Sequence, residues 1–209
     1  MSRCVRLPMA MSTSDHYFSS QPTSEHDETT HRIIVRKLEM LLAGDRGVFN
    51  KGELDWGTRV LIENAAVPSG GVLLDLGCGS GAIAVALAKL RPDAEVWAVD
   101  VNERAIAVTR RTVELNALTN VKVALAHDVP ADLRFDGIWS NPPIRIGKDA
   151  LHELLGHWLN RLADGGSAVL VVHKNLGSDS LAQWLVSQSF AVVRVSSKQG
   201  YRVLRVTRT

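Results

Sequence analysis

Asn141-Pro142-Pro143 carries the most specific chemistry in the chain. Two successive prolines remove two backbone donors and stiffen the main chain. The side-chain oxygen of Asn141 and the carbonyl of Pro142 can then be aimed, as acceptors, at one NH2 group. Such a pair selects an amino group as nucleophile. A ring or amide NH2 is a poor nucleophile because its lone pair is delocalised, and two aimed acceptors favour the pyramidal form that attacks carbon. Orientation and electrostatics then replace a strong base. Asn141, Pro142 and Pro143 are the candidate catalytic residues, against the plainer reading that Asn-Pro-Pro is a turn.

A second constellation lies upstream. Leu74-Asp75-Leu76-Gly77-Cys78-Gly79-Ser80-Gly81 links an apolar run to a helical one, where glycines let backbone amides approach a ligand closely. Asp100 closes the next apolar run, 23 residues after Gly77. A carboxylate there can accept both ribose hydroxyls of an adenosine. Because Gly77-x-Gly79-x-x-Ala82 also fits the dinucleotide fingerprint, a nicotinamide enzyme competes with an S-adenosylmethionine enzyme. Asp75 favours the latter: a carboxylate suits the cationic amino end of that donor better than a pyrophosphate. Asp128 follows the third run, where it can accept from an adenine amino group or serve as a turn residue. A sulfonium methyl is already activated, so the expected chemistry needs no metal.

These residues need a scaffold that brings loop ends together, and the surrounding pattern supplies one. Apolar runs VLLDL (72–76), EVWAVD (95–100), VKVALA (121–126), FDGIWS (135–140) and SAVLVVH (167–173) alternate with helical stretches at 82–90, 103 to about 117, 148–162 and 180–187. Short apolar strands alternating with helices predict a doubly wound α/β fold with a parallel sheet. FAVVRVS and YRVLRVT are separated by only a few residues and must form an antiparallel hairpin, giving seven strands in a Rossmann-like methyltransferase outline. Upstream, residues 32–42 suggest a small hairpin closed by Gly44-Asp45-Arg46-Gly47, and Asp55 or Thr58 can cap a helix running to about Ala66.

The chain has 209 residues, 45% of them apolar, enough for one α/β domain but hardly two. The expected organisation is a disordered leader (1–14) and one methyltransferase domain (15–209), made of an N-terminal segment (15–54) and a catalytic core (55–209). Two cysteines, Cys4 and Cys78, make neither a disulfide framework nor a zinc site. No apolar stretch approaches a membrane span, so a soluble cytoplasmic protein is expected. Residues 1–133 hold 14 basic against 17 acidic residues, whereas residues 134–209 hold 10 against 5. The last twenty residues carry Arg194, Lys198, Arg202, Arg205 and Arg208 without an acid. They read equally as a basic face over a phosphate backbone or as solvated strand edges. His152 and His157 mimic a zinc-protease pair, but five-residue spacing sets them about 140° apart around a helix.

Asp75 to Gly81, Asp100, Asp128 and Asn141 to Pro143, in this order, resemble class I methyltransferases of the methyltransferase small domain group, which includes RsmC-type rRNA guanine-N2 methyltransferases. The resemblance runs from about His16 to Tyr201, including HYFSSQP, GVFNKGELDWGTRVLIENA, SNPPIRIGK and KQGYRVL, and looks closest to a short single-domain branch. It implies S-adenosylmethionine as cofactor, surrounded by Asp75, Gly77, Cys78, Gly79, Gly81, Asp100, Asn102 and Asp128, with Asp55, Gly57 and Thr58 covering its methionine end. It further implies an amine held by Asn141 and Pro142, and ribosomal RNA or a ribosomal subunit as partner. Ile144, Lys148, Lys174, Lys198, Arg202 and Arg205 are the candidate RNA contacts. Ile144 is a departure, since many relatives place an aromatic residue there to stack on substrate. Methylation of a protein glutamine or small amine, and a non-catalytic cofactor-binding module, remain competing functions.

Overall fold

A computed structural model of the chain describes residues 29–44 and 54–209. The expected leader, the HYFSSQP segment and residues 45–53, including most of the Gly44–Gly47 turn, lie outside the described residues. The elements in chain order are β1 (Thr29–Val35), β2 (Leu38–Gly44), α1 (Trp56–Asn64), β3 (Val72–Leu76), α2 (Ala82–Leu90), β4 (Glu95–Asp100) and α3 (Glu103–Leu115). There follow β5 (Val121–Leu125), β6 (Phe135–Ser140), α4 (Lys148–Leu159), β7 (Leu162–His173), α5 (Ser178–Ser187), β8 (Phe190–Lys198) and β9 (Tyr201–Arg208).

Seven strands form one sheet in the order β5-β4-β3-β6-β7-β9-β8. The first five are parallel, and β9 runs antiparallel between β7 and β8. This is the expected doubly wound seven-stranded sheet with its closing antiparallel hairpin. Order reverses at β3/β6, so the loops after β3 and β6 diverge and open a crevice at the carboxyl edge. That crevice receives both the glycine loop and Asn141.

Alternation along β3 shows why the apolar runs are nearly continuous. Leu73 packs into the cluster formed with α1, α2 and the β1–β2 hairpin, whereas Leu74 packs into the opposite cluster with α4 and α5. Both sheet faces are covered, so neither needs polar positions. The hairpin is fastened to α3 by side chains that imitate a neighbouring strand: Asn116 Nδ2 donates to Leu41 O at 2.7 Å, Asn116 Oδ1 accepts from Leu41 N at 3.2 Å, and Thr112 Oγ1 accepts from Ala43 N at 3.0 Å. Its two-residue turn places Arg36 and Lys37 at φ 49° and 62°. Arg36 holds that left-handed turn against α1 by donating to Ile62 O and Ala65 O at 3.1 and 2.8 Å, two carbonyls at the helix end that lack internal partners.

The junction between α4 and β7 departs from the sequence expectation. Helix α4 stops at Leu159 instead of Leu162, and β7 begins at Leu162 instead of Ser167. Arg161 explains the early stop: its guanidinium donates to Leu133 O and Pro130 O and stacks over Phe135 and Trp158. Those contacts pull the chain out of the helical path, and periodicity alone does not encode them.

Candidate active site

Asn141 directly follows β6, and its carboxamide is held from the N-terminus of α1. Nδ2 donates to Asp55 Oδ1 at 3.1 Å and to Thr58 Oγ1 at 3.2 Å. Asp55 is the N-cap of α1, its Oδ1 also accepting from the backbone of Gly57 at 2.8 Å and Thr58 at 3.2 Å. The carbonyl of Pro142 accepts the Ile144 N–H at 2.9 Å, which leaves one of its two lone pairs for another donor.

The glycine loop is shaped by positive φ at Gly77 (75°), Gly79 (55°) and Gly81 (82°). At Gly77 a side chain would enter open space, whereas at Gly81 it would press on Thr109 of α3. Gly77 thus keeps the backbone open toward a ligand, while Gly81 lets two helices approach. Backbone N–H groups of Gly77 and Cys78 donate to Val99 O at 2.8 and 3.0 Å, tying the loop to β4. Asp100 is clamped at the end of β4, accepting from Gly79 N and from Asn102 N, both at 3.0 Å. Burial raises its carboxyl above the ordinary range, opposed by these backbone donors.

One cavity of about 410 Å³ joins the two constellations. Its wall includes Asp55, Thr58, Gly77, Cys78, Gly79, Asp100, Asn141, Pro142, Pro143 and Ile144. Other expected residues sit elsewhere. Asp75 is fully buried behind the loop, where Oδ2 accepts from Ala84 N at 2.9 Å and Oδ1 has no partner. Desolvation pushes this carboxyl up to about 8, Ala84 opposing and Asp100 adding to the rise. Gly81 begins α2 off the wall. Asn102 is buried, its side chain capping α3 by accepting from Arg104 N and Ala105 N; the exposed neighbour on the wall is Val101. Asp128 is exposed on the short 3-10 turn after β5, whose first residue, Ala126, lines the cavity.

The wall beyond Asn141 is apolar and aromatic, with Ile144, Leu154, Trp158, Val172, Leu176, His173 and Tyr201, and it includes Arg145. Tyr201 and His173 are paired across β7 and β9, ring edge to ring face at 5.0 Å. Burial, and then the nearby Asp55, hold the Tyr201 phenol above its usual range. Sequence reasoning left Tyr201 without a role because it opens a strand, and only the β9 crossover back beside β7 brings it to the site. Lys148, Lys174 and Lys198 are exposed and flank wall residues in sequence or register.

The cations of the last twenty residues divide between the two faces of the sheet. Side chains alternate across a strand, so Arg202 and Leu204 face α5 whereas Tyr201, Val203 and Arg205 face α1. Arg202 pairs with Asp179 and donates to Ser178 Oγ, and Arg194 pairs with the same Asp179 at 3.1 Å. Arg208 donates to Asn160 O. Three of the five cations are therefore engaged within the protein. The two decoy histidines are held apart, His152 stacked on Trp184 and His157 against Trp158. Among the described residues no helix is long and apolar enough to cross a membrane.

The family described as "Methyltransferase small domain" matches residues 39–205. The chain is 34% identical to the uncharacterized protein YbxB of Bacillus subtilis (strain 168) over 196 residues, 92% of this chain and 98% of that one. It is 37% identical to the ribosomal RNA small subunit methyltransferase C of Shewanella pealeana over 142 residues, 66% of this chain but 41% of the relative, so it spans less than half of that protein. Its fold is shared with the T. thermophilus 16S rRNA N2 methyltransferase RsmC, a structure in complex with AdoMet and guanosine, at a TM-score of 0.68 and 24% identity over 90% of this chain and 52% of that one.

Proposed function

Because the chain belongs to the methyltransferase small domain family, we propose that it methylates an exocyclic amino group of an RNA base, guanine N2 of ribosomal RNA, with S-adenosylmethionine as the methyl donor. The observation that carries this reading is the shared cavity: glycine loop and Asp100 at one end, Asn141 and Pro142 at the other, with no wall between them. Donor and amine can therefore meet.

The residues at the first end fit an adenosyl sulfonium. Asp100 offers a fixed carboxylate for two hydroxyls, Gly77 leaves backbone exposed, and Asp75 keeps a buried unpaired oxygen beneath the loop. When bound, S-adenosylmethionine supplies an electrophilic methyl group. The protein's part is to orient the amine: Asn141 and the free lone pair of Pro142 accept its two N–H groups and leave its lone pair aimed at the methyl, a gain from orientation more than from acid-base strength. The apolar wall of Ile144, Leu176 and Tyr201 excludes water and receives a flat base. Lys148, Lys174, Lys198 and Arg145 supply positive charge for phosphates. Lys148, Lys174 and Lys198 are expected RNA contacts to which Arg145 is added, and Arg205 stays with them whereas Arg202 is engaged by Asp179. The reading places the enzyme in the cytoplasm with its ribosomal substrate.

The test is transfer of labelled methyl from S-adenosylmethionine into lysate of a deletion strain, split into RNA and protein. Label in RNA that digests to N2-methylguanosine is the expected result. Label confined to protein would replace the RNA reading with amide methylation, and label in neither, despite cofactor binding, would leave a binding module.

A further inference from the structure

We infer that Asp55 and Thr58 are positioning residues that fix which way the Asn141 carboxamide faces, and so decide that the site offers an acceptor to an incoming amine; the inference rests on the amine-methylation reading above. The two ends of a carboxamide are nearly alike in shape, so hydrogen-bond partners alone choose between its two orientations. Here the choice is forced. Asp55 Oδ1 stands 3.1 Å from one end of the group, and a carboxylate oxygen has no proton to give. Turning Asn141 over would set two acceptors against each other at that distance. With the NH2 end on Asp55 and on the Thr58 hydroxyl at 3.2 Å, Oδ1 is turned away from α1 and is left for a donor in the cavity.

Asp55 is itself immobilised, because the oxygen that holds Asn141 also caps α1 through Gly57 N and Thr58 N. Thr58 is buried and sits three residues on, in the first helical turn, so both acceptors come from one rigid element. The chain thereby links the start of α1 to the end of β6 across 86 residues of sequence. Electrostatics give the link a catalytic sense. Drawing the NH2 of Asn141 toward a carboxylate polarises the amide and leaves more negative charge on Oδ1. The amine nitrogen gains positive charge as it attacks, so that acceptor acts more strongly in the transition state than in the ground state. This differs from the role that the sequence resemblance implies for the same residues, covering the methionine end of the cofactor.

Asp55→Asn separates the two roles, since asparagine caps a helix about as well as aspartate but holds the Asn141 NH2 through a neutral oxygen instead of a charged one. In the 15N-labelled full chain, the Asn141 side-chain amide pair is identified by its loss in Asn141→Ala. In Asp55→Asn that pair is expected to shift and to exchange roughly tenfold faster, the factor for replacing a charge-assisted hydrogen bond by a neutral one, with unchanged thermal melting. Thr58→Val is expected to do the same to a smaller extent, and Thr58→Ser to restore the signal. Titration with S-adenosylhomocysteine is expected to give the same affinity in Asp55→Asn as in wild type. With a modified RNA in hand, Asp55→Asn lowers kcat more than it raises KM, and adding it to Asn141→Ala brings no further loss. An unmoved Asn141 amide pair in Asp55→Asn overturns the proposal, and lost S-adenosylhomocysteine binding in that variant assigns the carboxylate to the cofactor instead. Failure of wild type to bind S-adenosylhomocysteine would strike the methyltransferase reading, while the amide signal still decides the orientation.

Discussion

The two ends of the cavity are built from opposite materials. Under β3 and β4 the wall is glycine backbone and Asp100, with Asp75 buried behind it and Asp55 at the border. Beyond Asn141 the wall is Ile144, Leu154, Trp158, Leu176 and Tyr201, and the cations nearby include Arg145, Lys148, Lys174 and Lys198. An end bearing Asp100 and Asp55 suits a cationic donor, and an apolar pocket among cations suits a flat base on a polyanion. The halves also differ in how they are fixed. The first is held by backbone contacts within adjacent βα turns, such as Gly79 N to Asp100 and Gly77 N to Val99 O. The second is assembled from α1, β6, β7 and β9, which are distant in sequence. Damage to the first half should therefore appear in cofactor affinity, and damage to the second in turnover or RNA affinity.

Asn141→Ala is the most severe test of that division. Loss of an oriented acceptor felt mainly in the transition state is expected to lower turnover on the order of 10²-fold or more, with cofactor affinity retained. Single-turnover methyl transfer beside calorimetry checks both, and wild-type turnover would make Asn-Pro-Pro architectural. Asp100→Asn is expected to do the reverse, weakening S-adenosylmethionine binding by roughly 1 to 3 kcal/mol; calorimetry showing unaltered affinity would remove Asp100 from the cofactor end.

A smaller effect separates the cations. Lys148→Ala with Lys174→Ala is expected to reduce the salt dependence of RNA binding by about 1.5 in log-log slope, the value for two phosphate contacts. Arg202→Ala is expected to lower the melting temperature by breaking the tie to Asp179 and Ser178 while leaving that slope alone. Equal slopes for both variants would dissolve the distinction between free and engaged cations.

A last effect, on stability and not on activity, concerns Asp75. Its folded-state carboxyl stands near 8, above its unfolded value, so the folded protein binds the proton more tightly. Asp75 therefore makes stability fall as pH rises from about 4 to about 8. Asp75→Asn is expected to remove that slope. Denaturation at pH 5 and pH 8 should show the variant gaining on wild type as pH rises, and a constant difference would mean that Asp75 is ionised throughout.

Much of the first half was legible before any coordinates. Strand VLLDL, helix 82–90, strand EVWAVD and strand FDGIWS fall where apolar periodicity puts them, and the acid at the end of β4 follows from counting along one βαβ unit. Local hydrogen bonding and side-chain alternation govern these features, and both are written in consecutive residues. Asn141-Pro142-Pro143 was likewise visible as an amine-accepting tripeptide, because prolines restrict the backbone wherever they occur.

What the sequence could not decide was which groups share a space. Asp75 lies two residues from Gly77, yet the strand pleat and α2 bury it behind the loop. Asp55 and Thr58 read as a helix cap, and their hold on Asn141 exists only because α1 packs across the end of β6. Tyr201 reaches the cavity because β9 returns antiparallel beside β7, and the same period-2 alternation sends Arg202 and Arg205 to opposite faces. Residue order alone determined a doubly wound α/β methyltransferase domain and the two motifs it presents. Tertiary packing decided the orientation of Asn141, the aromatic wall and which cations are engaged within the protein, since long-range contacts depend on the paths of elements separated by tens of residues and not on the spacing within any one of them.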